Sequence, residues 1–165
     1  MHPDTLVLDK DGSYRSESYS SYYSRTTSGV IGESNPDQRL NRKEYVLGVS
    51  AGSNTKAYAM RNLVDESIVN DSLGVIPMVV YYKSNSSTAL AYERLVDGQE
   101  VTFLKVDLTD GPLTRLMDQE TPTIWQAFTG RAIEGLFKGT ILTRMTPHHA
   151  FWFGWTDYYP GTELF

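Results

Sequence analysis

Leu95-Val96-Asp97-Gly98-Gln99-Glu100 is the stretch that decides the fold class. An Asp-Gly pair between two alternating apolar runs supplies the positive-φ residues of a type I′ turn, whose twist matches that of two antiparallel strands. The flanking runs, Thr88 to Val96 and Gln99 to Val106, are therefore expected to pair as a hairpin. Working outward, further short strand-like runs appear at Tyr45 to Val49, Thr55 to Tyr58, Val75 to Tyr82, Leu113 to Met117, Ile124 to Phe128 and Thr140 to Met145, with turn formers between them. Pro77 has no N–H to give to a ladder, which places its strand at a sheet edge or makes the strand begin there.

Two short helices interrupt the pattern. Met60 to Glu66 holds enough helix formers for about two turns. Pro147 to Tyr158 reads as a helix capped by Thr146, opened by Pro147 and ended by Pro160-Gly161. Its rings at Phe151, Trp152, Trp155, Tyr158 and Tyr159 make a stripe that should dock on a sheet. The expected architecture is mainly β: antiparallel sheets or a barrel-like core with a few short helices. An α+β arrangement is the alternative. One domain is expected over residues 1–165, divided into an irregular arm and connection (1–44), a β core (45–145), and the aromatic helix with a terminal strand (146–165).

The irregular arm is expected because residues 13–28, Ser-Tyr-Arg-Ser-Glu-Ser-Tyr-Ser-Ser-Tyr-Tyr-Ser-Arg-Thr-Thr-Ser, carry Tyr14, Tyr19, Tyr22 and Tyr23. Disordered tracts are poor in aromatics, so the rings suggest an arm laid across the domain. The chain also opens and closes on one phrase, His2-Pro3-Asp4-Thr5-Leu6-Val7-Leu8 and Tyr159-Pro160-Gly161-Thr162-Glu163-Leu164-Phe165. The repetition suggests a unit met twice whose first copy has been cut into, with a second aromatic helix expected upstream of His2. Thr5 and Thr162 would then be turn-capping hydroxyls.

With 40% hydrophobic residues the chain can bury a core. Its net charge of -5, with Lys and Arg scattered, leaves no footprint for a phosphate backbone, so nucleic acid is not an expected partner. No apolar run reaches the length of a membrane span. The absence of cysteine removes disulfides, thiolate metal sites and a cysteine nucleophile. No Gly-x-Ser-x-Gly elbow and no phosphate loop occurs.

Several segments, taken in order, resemble domain-of-unknown-function family 3179. They are Val46-Leu47-Gly48-Val49, Lys56-Ala57-Tyr58, Val69-Asn70-Asp71, Ala91-Tyr92-Glu93-Arg94, Val96-Asp97-Gly98, Thr102-Phe103, Asp118-Gln119-Glu120-Thr121, Trp125, Thr129-Gly130-Arg131-Ala132-Ile133-Glu134-Gly135, Gly139, Leu142 and Pro160-Gly161-Thr162. The resemblance spans nearly the whole chain. It implies a prokaryotic domain of exported or membrane-anchored proteins, hence an extracytoplasmic setting, with no established reaction. Many members of that family carry a Cys-Pro-Leu-Cys motif, whose cysteines would fall on Lys83 and Ser86 here. Lys and Ser are not soft-metal ligands, so thiolate chemistry at that place is excluded in this chain.

The most chemistry-like cluster is Asp118, Glu120 and Trp125, where two carboxylates beside an indole could form an acid and base pair on a sugar-like substrate. Against it stands an Asx turn at Asp118 with Trp125 in the core, which carries the greater weight. Asp71 and Arg94 could form a substrate clamp, or an Arg holding a loop carboxylate. His148 and His149, in the first turn of the expected aromatic helix, are the metal candidates; adjacent helix positions diverge, and packing above Phe151 and Trp152 is the competing reading. For partner binding the candidates are Tyr19, Tyr22, Tyr23, Trp125, Trp152 and Trp155, residue types that dominate interface energetics. No cofactor is expected. The favoured function is a non-catalytic binding, accessory or scaffold domain that holds a protein partner or sits in a larger assembly. An enzyme or small-ligand receptor built on the carboxylate, Arg and Trp cleft is second, and a metal-binding protein third.

Overall fold

A computed structural model describes residues 32–106 and 114–165. Fourteen strands and two α-helices are formed there. Strands β1 (Tyr45–Ala51), β2 (Asn54–Ala59), β13 (His148–Phe151) and β14 (Glu163–Leu164) make a first sheet in the order β13-β1-β2-β14. Strands β3 (Ile68–Leu73), β4 (Ile76–Lys83), β5 (Thr88–Glu93) and β12 (Arg144–Met145) make a second, ordered β12-β5-β4-β3. Strands β8 (Phe103–Lys105), β9 (Arg115–Asp118), β10 (Ile124–Gln126) and β11 (Arg131–Glu134) make a third, ordered β11-β10-β9-β8. A ribbon joins β6 (Leu95–Val96) to β7 (Gln99–Glu100), and helices α1 (Met60–Asp65) and α2 (Trp152–Tyr158) complete the set. Every pairing is antiparallel except that of β14 with β2. Among the described residues no sheet closes into a barrel, so the mainly β expectation takes the form of stacked open sheets.

The stacking is legible in β4. Along Met78-Val79-Val80-Tyr81-Tyr82 the side chains alternate between two cores: Met78, Val80 and Tyr82 pack toward the first sheet, Val79 and Tyr81 toward the third. Because both faces are buried, the strand reads in sequence as a near-continuous apolar run. The first sheet repeats the device. Leu47 and Val49 face the second sheet, while Val46 lies under α2 with Ala57, Trp152 and Trp155. The order through the molecule is thus α2, first sheet, second sheet, third sheet. Gly48 is required by this packing, since a Cβ there would overlap the ring of Trp155.

The Asp-Gly turn forms as expected, with positive φ at Asp97 (48°) and Gly98 (81°). The hairpin around it is shorter than the sequence suggests: only Leu95↔Glu100 and Val96↔Gln99 pair. Before the turn, β5 has ended at Glu93; after it, β8 pairs with β9. The turn therefore hands the chain from the second sheet to the third. Pro77 is the second residue of β4, a central strand, so neither expected placement holds as stated; the pairing of β4 with β5 starts only at Met78, one residue further on.

The expected helix over Pro147 to Tyr158 is corrected. His148 to Phe151 are extended and pair with Gly48 back to Tyr45, so the helix starts only at Trp152. No side chain caps it. Its first N–H groups are instead satisfied by main chain: Trp152 N donates to Glu44 O (2.8 Å) and Phe153 N to Arg42 O (3.0 Å). This preceding segment also straps the helix from outside. The Asp157 carboxylate accepts from the backbone N–H groups of Ser34 and Asn35, and Arg39 lies over the Trp152 ring at 5.1 Å. The segment around Asp71, expected as a loop, forms strand β3; it is polar at Asn70, Asp71 and Ser72 and lacks an apolar alternation. The first Pro-x-Thr phrase and the tyrosine arm lie outside the described residues.

Candidate functional site

The seam between the second and third sheets gathers most of the polar residues singled out in the sequence. Arg94 follows β5 directly and is 9% exposed. Its Nε donates to Met78 O (3.2 Å) and Asp71 O (3.3 Å), its Nη1 donates to Val101 O (3.1 Å), and the same nitrogen pairs with Glu100 Oε1 at 2.6 Å. The guanidinium thus ties β3, β4 and the entry to β8 through their carbonyls. It reaches the main chain of Asp71, while the Asp71 carboxylate goes elsewhere.

That carboxylate accepts from Lys56 Nζ (2.7 Å), Tyr58 Oη (2.9 Å) and the N–H of Ser72 (2.7 Å). Lys56 and Tyr58 are two residues apart on β2 and so share the face that meets β3. Burial pushes the Asp71 carboxyl up, but the bonds from Lys56, Ser72 and Tyr58 outweigh it and hold the group below its ordinary value. Burial first, and then the negative charge of Asp71, push the Tyr58 phenol well above its ordinary value. Glu163 on β14 approaches the same ammonium at 3.5 Å, and the Phe165 ring packs on Tyr58 with centroids 5.3 Å apart.

Asp118, at the end of β9, is fully buried. One carboxylate oxygen accepts from the N–H (2.6 Å) and hydroxyl (2.7 Å) of Thr121, which is the Asx-turn geometry; the other accepts from Trp125 Nε1 (2.8 Å). Trp125 is itself fully buried, edge-on to Phe103 at 5.8 Å. Glu120 lies at the surface and accepts from the N–H of Thr102 (2.7 Å). Desolvation raises the Glu120 carboxyl, but the Thr102 bonds and the more distant Arg94 charge bring it below its ordinary value. Asn70 completes the seam. Its side-chain amide exchanges two bonds with the backbone of Phe103, Nδ2 to O (2.9 Å) and N to Oδ1 (2.8 Å), extending the edge of β8 as a further strand would.

The structure therefore brings Arg94, Asn70 and Glu120 along the seam, with Asp118 and Trp125 in the core beside it, while the Asp71 carboxylate faces Lys56 and Tyr58 of the first sheet, and only its main-chain carbonyl meets Arg94. Asn70 belongs to the seam, and Lys56 and Tyr58 to the opposite side of the second sheet; none of the three is among the expected site residues, although the i, i+2 spacing of Lys56 and Tyr58 places both on one face. Trp152 and Trp155 are buried under α2, and Trp155 Nε1 donates to the Thr162 hydroxyl at 3.0 Å, fixing the exit turn of the helix. Thr162 is thus a structural acceptor in the Pro-Gly-Thr turn. His148 and His149 are both exposed on β13, where successive residues point to opposite faces, so the helix-terminus setting expected for them does not exist. Among the described residues no three His, Cys, Asp or Glu side chains gather as a metal site. Among the same residues, no helix is long and apolar enough to cross a membrane. Tyr19, Tyr22 and Tyr23 lie outside the described residues.

No curated protein and no solved structure matches this chain. The family comparison is positive: a model described as "Protein of unknown function (DUF3179)" matches residues 1–162, so that the Asn70-Asp71, Arg94, Asp97-Gly98, Asp118 and Pro160-Gly161-Thr162 positions described above all fall within it. The chain belongs to the DUF3179 family.

Proposed function

We propose that this domain works by binding, as a non-catalytic accessory or scaffold domain of a prokaryotic extracytoplasmic protein or assembly. One observation carries the reading: the Asp118 carboxylate, the centre of the most chemistry-like cluster, has no exposure and has both oxygens engaged by Thr121 and Trp125. A general acid or base must reach the proton it moves, and a group locked in the core does not. Arg94 and Asp71 are likewise directed at the chain's own backbone and side chains. What the domain turns outward is apolar in places, with Val75 at 93%, Tyr158 at 76% and Leu136 at 74% exposure. Such side chains supply contact area to a partner. The extracytoplasmic setting and prokaryotic source rest on the family resemblance.

The test compares sedimentation of the natural full-length protein in a gentle extract of its native cells with that of the purified protein. Faster sedimentation in the extract, reduced by Tyr158→Ser, is the expected result. Identical sedimentation in both, or a turnover of the purified protein that Asp118→Asn abolishes, would overturn it.

A further inference from the structure

At the far end of the β4–β5 hairpin, polar groups are left in a different state. Tyr81 and Lys83 lie two residues apart on β4 and share a face. Across from them β5 sets Leu90 opposite Tyr81 and Thr88 opposite Lys83. The Phe128 ring, from the turn after β10, meets both: the Tyr81 ring edge-on with centroids 5.9 Å apart, and Lys83 Nζ at 5.5 Å from its centroid. Tyr81 is 1% exposed, and its hydroxyl is buried with no hydrogen-bond partner among the described residues. Lys83 is partly buried, and no carboxylate of the described residues pairs with it. Beside it, the Ser86 and Thr88 hydroxyls are 2.8 Å apart at a tip turned by left-handed Ser87.

A ring face attracts an ammonium but accepts at most one of its three N–H bonds. The phenol lacks an acceptor altogether, which a buried donor tolerates poorly. Against one apolar wall thus stand a buried hydroxyl without a partner and a partly exposed ammonium whose charge no carboxylate of the described residues offsets. The complement is a small group rich in acceptor oxygens and carrying negative charge. We propose that this hairpin tip binds a small oxyanion, a carboxylate or a phosphate, with Lys83 as its charge partner, the Tyr81 hydroxyl as an inner donor and the Ser86 and Thr88 hydroxyls at the rim. The site is separate from the partner-binding reading, because the sedimentation of an assembly does not depend on it.

The test titrates sodium acetate and, separately, inorganic phosphate into the full chain at constant ionic strength made up with chloride. Thermal midpoint and the Tyr81 phenol carbon resonance are followed in protein labelled at tyrosine Cζ. A saturable rise in midpoint and a saturable Tyr81 shift are expected with at least one of the two anions. Acetate alone identifies a carboxylate site and phosphate alone a phosphate site. Lys83→Met should raise the half-saturating concentration about tenfold, as loss of a charge-assisted bond implies. Lys83→Gln serves if Lys83→Met does not fold, and Lys138→Met, at an exposed lysine, should change nothing. The proposal is overturned by a response to neither anion, or by the same titration curve in wild type and the Lys83 variants.

Discussion

The seam around Arg94 and the tip around Lys83 each bring a cation, hydroxyl or amide groups and an aromatic ring together, yet they end in opposite conditions. In the seam, donors find acceptors of the chain itself: Arg94 on three carbonyls, Asn70 on the two backbone groups of Phe103, Trp125 on Asp118. At the tip, the Tyr81 hydroxyl finds none. Polar residues that the fold consumes internally hold sheets together, whereas those it leaves unmatched in a buried place remain available to something else. Residue type alone does not separate the two cases; the partner does.

That contrast is broken most severely at Asp118. Asp118→Ala removes the acceptor of the Trp125 indole and of Thr121, leaving buried donors unmatched, and should destabilise the protein by about 3 kcal/mol. Denaturant titration measures it, and a loss below about 1 kcal/mol would show that the seam is held by packing alone.

A smaller effect is expected from Asp71→Asn, at about 1–2 kcal/mol for loss of a partly buried charge-assisted pair. Its sign follows from the lowered carboxyl. The stability that Asp71 contributes is present above the ordinary carboxylate value of 3.8 and is lost as pH falls through the lower folded value. Wild type and variant should therefore differ at neutral pH and converge in that acid window. A difference independent of pH would locate the effect in the Tyr58 hydroxyl bond instead of the Lys56 charge.

The smallest change has the opposite sign. Tyr81→Phe removes an orphan hydroxyl and should leave stability unchanged or raise it by up to about 1 kcal/mol in chloride buffer. A loss comparable to that of Asp118→Ala would mean that the tip is matched like the seam.

Much of this arrangement was legible in local chemistry. Asp97-Gly98 announced a turn that forms with positive φ at both residues, and the run from Val75 to Tyr82 announced a strand, though not its burial on both faces. Asp118 could be read as an Asx turn because its partner Thr121 is three residues away. What escaped was set at longer range. Asn70 finds Phe103 across 33 residues, and Arg94 finds Met78 and Val101 on opposite sides of itself. His148 to Phe151 carry helix and strand signals alike, and the vacant edge of β1 chose between them. An unmatched hydroxyl such as that of Tyr81 has no sequence signature at all.

The double burial of β4 has one more consequence, for alignment. In a strand with a wet face, a slip of one residue drives apolar side chains into water, and that penalty alone holds the pairing. Along its middle, a slip of β4 would only exchange Met78, Val80 and Tyr82 for Val79 and Tyr81 between two apolar interiors, and exposure changes only at the strand ends, such as Lys83. Hydrophobicity is nearly indifferent to that exchange. The pairing is held instead by pins at defined positions: the Arg94 N–H on Pro77 O, the Arg94 side chain on Met78 O, and the Tyr82 N–H on Ser67 O. The Arg94 side chain supplies one of these pins, and its replacement by an apolar residue of equal bulk would leave both interiors filled and the two main-chain pins in place while removing the third.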